Sequence, residues 1–535
     1  MTATNMDVPA TEQTTTTFPW RKATWILIAG LLAFRILYTA FVPLDLVHDE
    51  AYYWDWSRQL DWGYYSKPPM IAWIIALSTS VFGDTELAVR LPAAVLGTLG
   101  LVFVFLLAER MFDAKCGFFA VLLSALTPGN AALGLLMTID APFLFFWVAA
   151  LYFFWRALEE DANTWVWFPL TTLAIGLGLL SKQTTFGFLA LGGLFILISR
   201  KDRGQLVRPG LWICAIAALA FLTPVIIWNA QHDWITAQHT SEHFQAEPFG
   251  PVKRISLALE FIGGLFGVVS PVTFFLFASL SFTGLLSIRS LNRREQYLLC
   301  FSAIPLTLIL ILSLKQRIEL NWPAPVFPAG IILCVGWALQ KASIPFPLAA
   351  GSFHLRRAVV AGAIFTLATY ALPFALGMFG LVGSKVDPIV RLRGWEQLGQ
   401  IVGAEIEKAG VEDALIITTG GRVSTAELAF YLPNQPRVYA WKGDDQVMSQ
   451  YDVWGGPTQV AGRTAVLVTP VYQNVPPELA AAFSSVTKIG RVTVAINETR
   501  KHEFDLYRAD NFAYWPGPQG QQTMVANRPG DPKAR

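Results

Sequence analysis

Apolar stretches of about 20 residues recur along this chain, the length an α-helix needs to cross the hydrocarbon of a bilayer. No other feature narrows the fold as far. In lipid every backbone N–H and C=O must be paired internally, so repeated stretches of this kind specify a bundle of membrane helices. Of the 535 residues, 54% are hydrophobic and 15% charged, and the mean hydropathy is +0.45. These values exclude an ordinary soluble enzyme. The net charge is +2, and no Arg/Lys-rich tract offers a groove for nucleic acid, so no nucleic-acid partner is expected.

The first apolar run, about 23–44, follows Arg21 and Lys22 and ends in bulky residues rather than a small-residue cleavage site. It is expected to remain as a signal-anchor helix. Further spans are expected near 88–109, 115–135, 141–157, 165–180, 184–199, 210–230, 271–288, 296–314, 321–340 and 357–381. The apolar pieces 69–82 and 254–268 are short, and are expected to lie in the interface or to re-enter it. The expectation is thus about 11–13 transmembrane helices with juxtamembrane helices between them. With the N-terminus in the cytoplasm, the inner loops collect most of the bases, including Arg200, Lys201, Arg203 and Arg208 in one loop and Arg289, Arg293 and Arg294 in another. That asymmetry is the one the positive-inside rule requires.

After Gly383 the composition becomes mixed. The runs "ALIITTG", "RVYAW", "TAVLVTP" and "VTVAI" alternate with helical patterns such as "GWEQLGQIVGAEIEKAG", which predicts a small α/β domain over 385–516. In the orientation above it lies outside the cytoplasm. The membrane unit is expected over 21–384, and residues 1–20 and 517–535 are expected to be disordered. The cysteines are Cys116, Cys214, Cys300 and Cys334, so the C-terminal part has no disulfide.

Several polar groups fall on one side of this topology. The stretch "VHDEAYYWDWSRQLDWGYYSKPP" (47–69) carries Asp49, Glu50 and Lys67 among many aromatic rings. Asp140 sits in "LLMTIDAPF" and Lys182 in "GLLSKQ", each between apolar spans. A charge at a span end can simply mark where water begins. Asp140 is less easily read so, because a neutral turn residue would serve there, and ionisable groups at membrane depth are costly and usually functional. His48, His232, His239 and His243 have no metal-ligand spacing, and no metal site is assigned, although the acidic pair could hold a divalent ion. A carboxylate base, nearby cations and aromatic rings suit sugar transfer: the carboxylate takes a proton from a hydroxyl, a cation holds a leaving phosphate, and rings stack on sugars. The same parts would also suit a transporter or lipid flippase, but transporters tend to carry polar groups mid-span and to show internal repeats. This sequence shows no repeat.

"HDEAYYWDWSRQLDWGYYSKPPMIAW" resembles the first outer loop of bacterial family-39-type glycosyltransferases, GT-C membrane enzymes related to protein O-mannosyltransferases and to the lipid A aminoarabinose transferase. "ELAVRLPAAVLG", "TIDAPFLFFW", "GLLSKQTTFGFL" and "NWPAPVF" follow in the family's order, so the resemblance covers roughly 20–340. It implies an inverting transferase that takes sugar from a polyprenyl (undecaprenyl) phosphate and passes it to a lipid, glycan or protein acceptor on the outer face of the inner membrane. It implies Asp49 as base, Glu50 and Asp140 as further site acids, and Lys67 and Lys182 on the donor phosphate. Tyr52, Tyr53, Tyr65, His243 and Asn321 would contact substrate.

Overall fold

The computed structural model describes residues 18–242, 249–345, 351–444, 446–459 and 461–516. Eight helices build the first part of the chain: α1 (Trp20–Phe41), α2 (His48–Ser57), α3 (Met70–Phe82), α4 (Glu86–Met111), α5 (Ala114–Ala125), α6 (Pro128–Leu133), α7 (Asp140–Ala157) and α8 (Thr164–Ser181). The 22 residues of α1 span about 33 Å at 1.5 Å per residue, enough to cross a bilayer.

Every stretch expected to cross is helical, but not all are continuous. Among the described residues six helices are long and apolar enough to span, or seven if one bent pair counts as a span. The bent pair is Pro251–Val269 and Pro271–Ser287, which meet at 116°. Its corner is Ser270, at φ +75°, followed by Pro271, which cannot continue the first helix's hydrogen bonding. The expected span 115–135 breaks between α5 and α6, where the Thr127 hydroxyl accepts from Asn130 N–H and Pro128 opens the next turn. Met70–Phe82 and Ala324–Ala338 are shorter apolar helices. In the membrane part α4 packs on α7 and α7 on α8. All four cysteines are buried and free.

The C-terminal part folds around a five-stranded sheet: β1 (Leu415–Thr418), β2 (Val438–Ala440), β3 (Arg463–Pro470), β4 (Ser485–Ala495) and β5 (Lys501–Phe512). The order is β2-β1-β3-β5-β4. β1 pairs in parallel with β2 and β3, whereas β5 runs antiparallel to both β3 and β4. The four apolar runs of the sequence are β1 to β4. β5 was hidden because "KHEFDLYRADNF" mixes charges into its alternation.

This sheet domain is not a free appendage. Leu46, Trp54, Trp56, Tyr64 and Met137 share one buried core with Leu398, Ile416, Phe430 and Val466. Trp54 meets Phe430 edge-on at 4.9 Å between ring centres, and Trp56 stacks on Tyr64 at 4.4 Å. Polar contacts close the seam: Asp45 accepts from Trp395 N–H at 2.7 Å, and Tyr431 Oη accepts from Leu46 N–H at 2.6 Å. Most of the aromatic loop is therefore core. The expectation of Tyr52 as a sugar-contacting residue is corrected here: it is 1% exposed, and its hydroxyl accepts from Gln450 N–H.

Candidate active site

α2 sorts its side chains by the helical period, with residues four apart on one face. Asp49 and Tyr53 share one face, and Glu50 and Trp54 the next. The two acids, adjacent in sequence, therefore meet different surroundings. Glu50 is 0% exposed and caps its own helix, accepting from Val47 N–H at 3.0 Å. It also pairs with Arg90 of α4 at 2.9–3.1 Å and accepts from Met137 N–H at 2.8 Å. Arg90 further donates to the carbonyls of Leu44 and Asp45. Glu50 thus has no free face for a sugar. It ties α2, α4 and the turn before Asp140 into one frame, so the Glu50 expected among the site acids is buried against Arg90 and Met137.

Asp49 is part-exposed, its side chain 37% accessible. Arg422 lies 3.3 Å from its Oδ1, and His48 Nε2 lies 3.8 Å away. Burial holds the His48 imidazole below its usual range, so His48 adds little positive charge at neutral pH.

Asp140 begins α7 and is 2% exposed. Lys182, at the extended residue closing α8, donates from Nζ to Oδ1 at 2.7 Å. Asn321 donates from Nδ2 to Oδ2 at 2.6 Å. Segments far apart in sequence thus converge on one carboxylate. Lys182, expected on the donor phosphate, is committed to Asp140.

The free cation is Lys67, in the loop before α3. Among the described residues it has no ion-pair partner, yet it senses the charges of Lys182, Asp140, Asp49 and Arg422. Burial, and then the positive charge of Lys182, hold its ammonium below the ordinary lysine value. Burial, with the nearby charge of Asp49, pushes the Tyr53 phenol well above its ordinary value. Tyr65 Oη contacts His239 Nδ1 at 3.2 Å, joining the first loop to a later one. His243 lies outside the described residues. Among the described residues no group of three or more His, Cys, Asp or Glu side chains converges as a metal site, and Glu50 is turned from Asp49 toward Arg90.

Beside this cluster lies a mostly apolar cavity of about 400 Å³. Its walls include Gly100, Val104, Leu133, Phe145 and Ile331, with Asn130, Asn321 and Arg391 among its polar lining. Asn321 both lines the cavity and donates to Asp140, so one side chain joins the apolar space to that carboxylate.

Arg90, Arg391 and Arg422 were not singled out from the sequence as site residues. Arg90 carried a usable signal, a charge inside an apolar run. Arg391 and Arg422 carried none, being ordinary surface-type residues of a soluble segment.

Residues 66–228 match the family described as dolichyl-phosphate-mannose-protein mannosyltransferase; that segment holds Lys67, Asp140 and Lys182. The lipid A galacturonosyltransferase RgtD of Rhizobium johnstonii is 28% identical over 447 residues, covering 83% of this chain and 90% of the relative. The undecaprenyl phosphate-α-4-amino-4-deoxy-L-arabinose arabinosyl transferase of Pseudomonas aeruginosa is 31% identical over 192 residues, 32% of this chain and 33% of that relative. Among solved structures, ArnT from Cupriavidus metallidurans bound to undecaprenyl phosphate aligns over 93% of this chain and 100% of its own, with a TM-score of 0.59 and 18% identity. That likeness shows a shared fold.

Proposed function

We propose that this chain, which belongs to the family-39-type GT-C membrane glycosyltransferases, transfers a sugar from a polyprenyl phosphate, in bacteria undecaprenyl phosphate, to lipid A. One relative's name supplies the donor class and another's the acceptor. The observation that carries the reading is the meeting of an apolar cavity with the Asp49, Asp140 and Lys67 cluster through Asn321. A lipid-linked phosphate needs an apolar seat for the first part of its tail and a cation at its head; the cavity connects through Asn321 to Asp140, which Lys182 pairs with and Lys67 senses.

In this reading Asp49, the accessible carboxylate, takes the proton of an acceptor hydroxyl. The oxygen attacks the anomeric carbon, and the bond from that carbon to the phosphate oxygen breaks with its electron pair going to the phosphate. Lys67, unpaired and near the base, neutralises the leaving group. Asp140, fixed by Lys182 and Asn321, faces the sugar as a second acid. A single displacement of this kind inverts the anomeric centre. The site is taken to open on the outer face of the inner membrane, the side on which the first loop and the C-terminal domain meet.

The test is to incubate the purified chain in lipid nanodiscs with lipid A and with undecaprenyl phosphates bearing galacturonic acid or aminoarabinose, wild type beside Asp49→Asn. Mass added to lipid A by wild type and lost with Asp49→Asn is the expected result. Equal turnover by both proteins would overturn the role of Asp49. No transfer from either donor, with substrate instead moving across sealed vesicles, would overturn the enzyme reading.

A further inference from the structure

We propose that Arg422, carried into the site by the C-terminal domain, holds Asp49 before transfer and passes to the leaving phosphate once Asp49 has been protonated. The inference rests on the transferase reading above and assigns that domain a residue in the reaction.

The placement is rigid in its backbone and loose in its side chain. Arg422 lies in the first turn of the helix Gly421–Tyr431, which packs on α2 and is fixed there by the Trp54–Phe430 contact and the Tyr431–Leu46 hydrogen bond. Its guanidinium makes one contact of 3.3 Å to Asp49 and is 41% exposed. It also lies 5.3 Å from the centre of the Tyr52 ring. A guanidinium has five N–H donors in a planar fork. Among the described residues this one meets no other carboxylate, so most of the fork is available to an incoming anion. Lys67 lies within electrostatic reach of both Arg422 and Lys182. Arg422 pairs with Asp49 and Lys182 with Asp140, and Lys67 feels the charges of all four.

The reaction moves one negative charge from Asp49 to the phosphate. Before transfer Asp49 is charged and paired with Arg422, and a sugar-phosphate-lipid diester carries one negative charge. During transfer the acceptor O–H bond breaks and its proton goes to Asp49. The acceptor oxygen bonds the anomeric carbon, and the C–O bond to phosphate breaks with its electrons on the phosphate. The lipid monophosphate that leaves carries close to two negative charges at neutral pH. Asp49 is now neutral, so the net positive charge of the cluster has risen by one. The second phosphate charge appears as Arg422 loses its counter-ion, and a planar fork suits a phosphate better than a point charge would.

The test is binding of undecaprenyl monophosphate to wild type, Asp49→Asn, Arg422→Gln and the double variant, all in nanodiscs. Asp49→Asn mimics the protonated base. It should bind the monophosphate about 10-fold more tightly than wild type, through a freed charge-assisted contact. In the Arg422→Gln background the same change should give no more than about 2-fold, the relief of repulsion by a partly exposed carboxylate. Equal gains in both backgrounds would overturn the proposal. In turnover, Arg422→Gln should lower kcat by about 10-fold or more, as removal of a transition-state contact does, with donor KM little changed. A rise in donor KM at unchanged kcat would overturn the hand-off. Arg422→Lys, which keeps charge and fold, should recover part of kcat; no recovery in a protein that melts as wild type does would argue against a charge contact. An active Asp49→Asn enzyme would instead remove Asp49 as the base, and no transfer by wild type from either donor would sink the transferase reading, so these failures are distinguishable from that of the hand-off.

Discussion

Asp49 and Glu50 are neighbours in sequence, and their amides should fail in different ways. Glu50→Gln removes the charge facing a buried guanidinium and sets an NH₂ where the Val47 N–H or Arg90 already donates. Breaking a buried ion pair by removing one partner costs about 3–5 kcal/mol, and an added buried donor without an acceptor costs about 1–3 kcal/mol more. Domains are stable by only about 5–15 kcal/mol, so this change removes a large part of the margin. Asp49→Asn breaks one 3.3 Å contact at a side chain 37% exposed, an interaction of a class worth about 0–1 kcal/mol. Loss of a general base costs about 10²–10⁴-fold in rate. The assay is tryptophan-fluorescence melting in nanodiscs beside sugar-transfer turnover. Glu50→Gln should melt well below wild type and lose activity with its fold, whereas Asp49→Asn should melt with wild type and be nearly inactive. A Glu50→Gln protein that melts like wild type yet does not turn over would refute the reasoning, because it would place Glu50 among the reacting groups.

In the proposed reaction Lys67 would bind phosphate in its protonated form, and burial has already lowered its proton affinity. Donor KM should therefore rise with alkaline pH, beginning below the ordinary lysine value of about 10.4. Lys67→Arg should move that rise out of range, since a guanidinium stays charged past about pH 12; a wild-type KM flat with pH would remove Lys67 from the phosphate. Gly100 lines the cavity, and a Cβ added there meets nothing closer than 4.0 Å. Gly100→Leu should thus fold normally but weaken undecaprenyl monophosphate binding, and unchanged affinity would place the lipid tail elsewhere. Phe430→Ala removes a 5%-exposed ring packed on Trp54 and should cost about 3–5 kcal/mol. The visible result should be protease cleavage near residues 380–395 as the C-terminal domain undocks.

The parts of this site legible in the sequence are those that violate their surroundings. Asp140 and Lys182 are charges between apolar runs, and the structure joins them at 2.7 Å. Lys67 stood out by its place before Pro68 and Pro69. Arg35 and Arg90 violate their runs just as plainly and could have been found by the same rule. Arg35 donates to the Asn130 side chain at 2.5 Å, inside the bundle. The burial of Glu50 is not legible in the sequence because it depends on Arg90 and Met137, contacts no local pattern contains. Arg422 gave no signal at all: its role needs the docking of a domain folded from the far end of the chain. The apolar helices were legible by length, although among the described residues only six, or seven with the bent pair, are long and apolar enough to span, rather than the roughly 11–13 expected. The breaks at Thr127-Pro128 and Ser270-Pro271 carry the proline that marks them.

The density of aromatic residues between 47 and 69 has a mechanical cause. A ten-residue helix is too short to be stable alone, so α2 needs buried area on several faces to hold Asp49 at a fixed point. Trp54 and Trp56 are both 0% exposed and obtain that area from the sheet domain and from Tyr64. The face bearing Asp49 and Tyr53 is then left toward the cluster. Two jobs are thus met by one short element: its apolar faces anchor the C-terminal domain, and the same anchoring brings Arg422 to Asp49. Domain docking and the charge state of the base are in this way one arrangement. A substitution at the aromatic seam, such as Phe430→Ala, should accordingly reduce turnover even though no atom of Phe430 approaches the cluster.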